Sequence, residues 1–166
     1  MPSAYNPAAW SDFFVAQIGA SAALSGLVFV AISINLAQIA KNPLLVPRCA
    51  KALAILLGVL LASTLSLAPG QPLTVLGCEL VILGAIVWIL ATRGQHKSSY
   101  KNPYAGRWQT ITLMILTQCA ALPFIVCGVS LAFHHGGGLY WLLAGVVFSF
   151  AAALFDAWVL LIEIQR

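Results

Sequence analysis

Of the 166 residues in this chain, 61% are hydrophobic and only 7% are charged, with a mean hydropathy of +0.98. That excludes an ordinary water-soluble domain, which has no way to cover so much apolar side chain. The net charge is +4, but the basic residues flank apolar runs, so they read as membrane-orientation signals and attraction to anionic lipid; no nucleic-acid partner is expected.

The N-terminal stretch Met1-Pro2-Ser3-Ala4-Tyr5-Asn6-Pro7 has no basic residue ahead of the first apolar run. That run is too long for the core of a cleavable signal, so it is expected to be a retained span with Asp12 as its N-cap. It covers residues 13–39. Four more follow, at 49–68, 73–92, 111–133 and 139–164. Each is near or above the ~20 residues that cross a ~30 Å hydrocarbon layer. They are uniformly apolar, whereas transmembrane strands alternate over ~10 residues. The expected fold is all-α, a single polytopic transmembrane domain of five helices.

The connections are short. Pro43 and Pro47 frame the first and are expected to stop helix propagation. Pro69-Gly70-Gln71-Pro72 reads as a tight turn that makes the second and third helices a hairpin. The third helix is expected to end at Thr92-Arg93-Gly94, before a polar loop. Pro123 is expected to kink the fourth helix. His134-His135-Gly136-Gly137-Gly138 is a glycine-rich loop before the fifth.

Every Lys and Arg falls in the connections or ends that share one face of such a bundle. Lys41, Arg48 and Lys51 lie around the first connection, Arg93, Lys97, Lys101 and Arg107 around the third, and Arg166 at the C-terminus. Short positive loops stay in the cytoplasm. The expected topology is N-terminus outside and C-terminus cytoplasmic, in a cell inner membrane, with Arg93, Lys97, Lys101 and Arg107 placed to hold an anionic lipid headgroup. Trp10, Tyr100, Tyr104, Trp108, Tyr140 and Trp141 cluster at the span ends, as interfacial aromatics do.

The first helix has two distinct faces. At 3.6 residues per turn, Gln17, Ser21, Ser25, Asn35 and Gln38 share one stripe. Gly19, Ala22, Ala23 and Gly26 form a small-residue stripe opposite. One reading packs the small stripe on the chain's own helices and lets the polar stripe line a pathway. The other has the polar groups bonding to neighbouring helices.

Two carboxylates lie inside spans, where an ionisable group is costly and marks a candidate site. Asp156, near the cytoplasmic level, is expected in a buried ion pair with Lys51 or Arg93. Glu79, in the outer third, has no cationic residue at its depth. A polar pocket is expected around it, including Gln17, Ser21, Ser63, Thr64, Cys78 and Cys127, as a cation or proton site or as a hydrogen-bonded neutral acid. Cys49, Cys78, Cys119 and Cys127 show no metal or redox spacing. His134 and His135 are thin metal candidates, because zinc sites need three or four ligands. No cofactor motif is visible.

The string Gly19-Ala20-Ser21-Ala22-Ala23-Leu24-Ser25-Gly26 and its continuation to Leu36, with Ala68-Pro69-Gly70-Gln71, resembles a group of small bacterial integral membrane proteins of unknown function. Some members carry the label of modulators of FtsH protease. The resemblance implies a bacterial inner membrane and supplies no active site. Three functional classes remain: a homo-oligomeric channel or permeation protein lined by the first helix, a regulatory or scaffold subunit binding a second membrane protein, and a membrane redox or metal-binding protein. No catalytic constellation is present, so an enzyme is not expected.

Overall fold

The computed structural model describes the backbone of residues 2–41, 45–100 and 107–164, and the side chains of 3–41, 45–94 and 111–158. Two short 3-10 turns, Pro2–Tyr5 and Pro7–Trp10, precede α1 (Ser11–Ile34) and α2 (Leu36–Lys41). Four long helices follow: α3 (Leu45–Ser66), α4 (Leu73–Tyr100), α5 (Arg107–Phe133) and α6 (Tyr140–Ile164). Five of these helices are long and apolar enough to cross a membrane. The chain is an all-α, multi-pass membrane protein.

Three helix boundaries differ from the sequence expectation, each for a local reason. The first span is broken at Asn35. Its side-chain Nδ2 donates to the Ala31 carbonyl at 2.9 Å, and Ser33 Oγ donates to the Phe29 carbonyl at 2.9 Å. Such back-bonding competes with the helix ladder and bends it. The second span starts at Leu45 and takes in Pro47, which was expected to stop the helix. Pro47 sits in the first turn, where its missing N–H has no intrahelical acceptor to lose. The third helix runs on to Tyr100 through Gly94, which was expected to end it. A methyl at Gly94 would lie 3.1 Å from the Pro47 carbonyl oxygen and 3.4 Å from Lys51 Cβ. The glycine lets α4 approach α3. The fourth starts at Arg107 and runs unbroken through Pro123.

The helix α3 is central and packs against α1, α4 and α6, while α5 fills the space between α4 and α6. The closest approach joins α4 to α5. A Cβ on Gly77 would lie 2.7 Å from the Gly128 carbonyl oxygen, and one on Gly128 2.5 Å from that of Gly77. Only a residue without a side chain fits either position, which is the small-residue packing used where lipid supplies no hydrophobic drive. The largest buried cluster joins Phe14, Val59, Leu80, Phe124, Leu131 and Leu142.

The N-terminal segment, the α3–α4 turn and the α5–α6 loop converge at one end of the bundle. Leu139 N donates to the Ala4 carbonyl at 2.9 Å, Gly137 N to Tyr5 Oη at 3.2 Å, and Trp10 Nε1 to the Ser3 carbonyl at 2.8 Å. Trp10 meets Tyr140 edge to face, with centroids 5.0 Å apart. Ser130 Oγ donates to the His135 carbonyl and accepts from Gly138 N at 2.8 Å. These bonds seat residues 2–10 as a cap on the ends of α5 and α6.

Candidate functional site

The orientation of α1 is the reverse of one sequence reading. Its polar stripe faces the chain's own helices and its small stripe faces outward. Ser21 is fully buried, with Oγ bonded to the Gln17 carbonyl at 2.6 Å; Val28, on the same stripe, packs with Ala52, Leu56 and Ala153. Gly19, Ala22, Ala23 and Gly26 are exposed, and a Cβ built on either glycine meets nothing within 4 Å. The physical reason is cost: a glutamine amide and two hydroxyls are expensive in lipid, while glycine and alanine lose nothing there. Asn35 and Gln38 depart from the stripe: Gln38 lies in α2, beyond the break, and is exposed. Asn35 stands at the helix break with its amide spent on Ala31.

Some polar atoms on this seam have no protein partner among the described residues. Gln17 Oε1 and Ser25 Oγ on α1, and Ser63 Oγ on α3, are buried without a hydrogen bond.

Glu79 is half-buried and accepts a 2.6 Å hydrogen bond from Gln71 Nε2. Gln71 stands just before α4, and helical side chains lean back towards the N-terminus, so the two ends meet. The sequence reading had missed Gln71; its place two residues ahead of the helix carrying Glu79 was the available signal. The wider pocket is not assembled as expected. Thr64 is exposed and bonded to the Leu60 carbonyl at 2.8 Å, and Cys127 lies in the main apolar cluster. Cys78 is exposed on a shallow groove with Val81, Ile82 and Val129.

At the opposite end, the Lys51 ammonium on α3 lies 2.9 Å from Asp156 Oδ2 on α6, with side-chain exposures of 2% and 4%. Lys51 Nζ also donates to Thr117 Oγ1 on α5 at 3.4 Å, and Thr117 donates to the Leu113 carbonyl at 2.8 Å. Arg48, one turn before Lys51, adds a second positive charge within range of Asp156. One carboxylate thus engages α3 and, through Lys51, α5. Arg93 is exposed and stands outside this buried pair, which corrects its expected membership. The side chains of Lys97 and Arg107, and all of Lys101, lie outside the described residues, so of the headgroup cluster only Arg93 is placed.

A polar ladder that sequence reasoning missed ties α4 to α5. Trp88 Nε1 donates to Gln118 Oε1 at 2.6 Å, and Gln118 Nε2 to Thr92 Oγ1 at 3.5 Å. Both imidazoles of the glycine loop are exposed. His134 stacks on Tyr5 with centroids 6.2 Å apart, and its φ of 54° turns the chain out of α5.

Comparison with protein-family models, with curated proteins and with solved structures finds no match to this chain.

Proposed function

We propose that this chain is a homo-oligomeric inner-membrane protein that acts by association, its copies meeting through the outward face of α1. One observation carries the reading: α1 is held on one side only. Gly19, Ala22, Ala23 and Gly26 stand exposed, beside Leu27 at 67% and Val30 at 53% exposure. Small residues one turn apart let a second helix approach to backbone contact, the main source of helix affinity in lipid. The topology that goes with this reading is N-terminus outside and C-terminus cytoplasmic, because all eight Lys and Arg lie at the α2–α3, α4–α5 and C-terminal end. Anionic lipid at that face is the accompanying partner. The same face would serve a second membrane protein, as the resemblance of this helix to small bacterial membrane proteins allows.

The test is disulfide trapping in membranes. In a variant with the four native cysteines replaced, Cys at Ala23 is expected to cross-link copies on mild oxidation, and Cys at Ser21 is not. Equal cross-linking at both positions, or at neither, contradicts the reading.

A second reading, permeation, is favoured by the seam of unpaired polar atoms Gln17 Oε1, Ser25 Oγ and Ser63 Oγ on α1 and α3. Water entering between these two helices would satisfy all of them. Ion flux in proteoliposomes that is lost in a Gln17→Leu variant would support it.

A further inference from the structure

We propose that the outward face of α4, near the capped end of the bundle, binds a phospholipid with a primary ammonium, phosphatidylethanolamine. The two oxygens of Glu79 differ. Oε2 accepts from Gln71 Nε2 at 2.6 Å. Oε1 bonds to no described residue and is not sealed inside the protein, so it is open at the surface of a half-buried side chain. That surface faces lipid. Val75, Ile82 and Ile86, one and two turns away on the same side of α4, are 45%, 62% and 50% exposed.

The chain brings no cation to this carboxylate. No Lys or Arg occurs in residues 1–40, 52–92 or 108–165, and Arg93 stands about 21 Å further along α4. A second copy in the same orientation has the same deficit at the same depth. The positive N-terminal end of α4 lies beside Gln71, but its influence fades within the first turn, and Glu79 is in the second. The two charges therefore stand side by side. The first N–H groups of α4, which have no intrahelical acceptor, suit a phosphate. Glu79 Oε1 suits an ammonium that has N–H groups to donate.

Hydrocarbon has a place next to this pair of charges. A groove of about 410 Å³ between α4 and α5 has an apolar lining of Cys78, Val81, Ile82, Val129, Ala132 and Phe133. Ile82 belongs both to this lining and to the turn that follows Glu79, so groove and carboxylate are contiguous. His134, which follows Phe133, is stacked on Tyr5 and does not line the groove. A zwitterionic phospholipid matches all three features, with an acyl chain in the groove, its phosphate at the start of α4 and its ammonium on Glu79. Phosphatidylcholine fills the first two places but has no N–H for the third.

This inference does not depend on the association proposed above. The test is native mass spectrometry of the full chain equilibrated with phosphatidylethanolamine and phosphatidylcholine of matched acyl chains. Saturable retention of phosphatidylethanolamine is expected, at least about tenfold tighter than that of phosphatidylcholine. Glu79→Gln keeps the shape and an acceptor for Gln71 but removes the charge, and the headgroup preference is expected to vanish. Ile82→Trp fills the groove from a lipid-exposed position and is expected to weaken phosphatidylethanolamine retention with Glu79 intact. Equal retention of the two lipids by the wild type overturns the proposal. So does an unchanged preference in folded Glu79→Gln. Should Glu79→Gln fail to fold, undiminished retention in Ile82→Trp overturns it instead.

Discussion

Lys51 and Asp156 form an ion pair at 2.9 Å between α3 and α6, with both side chains almost wholly removed from solvent. The charge is buried among protein and not left to lipid, and Thr117 on α5 meets the same ammonium. A carboxylate in the membrane thereby becomes a fastener for three helices.

Removing one partner of this pair leaves the other charge buried without it. Asp156→Leu is expected to destabilise the bundle by about 3–5 kcal/mol. The double replacement Lys51→Met with Asp156→Leu is expected to recover most of that loss, since two apolar groups carry no desolvation penalty. Reversible unfolding in mixed detergent reads both. A double variant no more stable than the single would assign the pair a role other than helix fastening.

Gly77 and Gly128 face each other across α4 and α5 with carbonyl oxygens where side chains would stand. Gly128→Ala is expected to cost at least about 1–3 kcal/mol, because backbone and not a flexible side chain must move. Gly19→Ala, with nothing within 4 Å, is expected to change the unfolding free energy of a single copy by no more than about 1 kcal/mol, in the stabilising direction. Chemical denaturation of the two variants side by side checks the contrast.

Two buried serines should respond in opposite ways. Ser130 joins the His135 carbonyl to Gly138 N, so Ser130→Ala is expected to cost about 1–3 kcal/mol. It should also loosen residues 2–10, which rest on that loop through Ala4 and Tyr5; faster hydrogen exchange at Leu139 reports this. Ser63 Oγ has no partner among the described residues, so Ser63→Ala is expected to be neutral or stabilising. A marked loss of stability in Ser63→Ala would place an unseen partner at that hydroxyl.

The five crossings were legible in the sequence because run length and uniform apolarity are one-dimensional properties that a bilayer reads directly. Helix ends were less so. Pro47 and Gly94 carry the residue types that end helices, yet one occupies a first turn and the other a crossing point with α3. Only the neighbouring chain distinguishes those uses from a stop.

The Lys51–Asp156 contact could be anticipated from depth, since both residues fall near the same end of their spans. The orientation of α1 could not. In a soluble helix the apolar face turns inward, but in lipid both stripes of α1 are candidates for burial, and the cost of lipid-exposed Gln17 and Ser21 decides against the small one. Two features depended on bonds between distant segments: Gln71 with Glu79, and Ala4 with Leu139. No periodicity within one helix encodes either.

The most direct test of the account is the native mass of the purified protein in lipid nanodiscs, measured for the wild type and for Ala23→Leu. The account predicts an oligomer for the wild type and a folded monomer for the variant, because leucine there blocks a second helix without touching the first copy's own core. A wild type that is monomeric across the accessible range of protein-to-lipid ratios, or an Ala23→Leu protein that stays oligomeric, would contradict it.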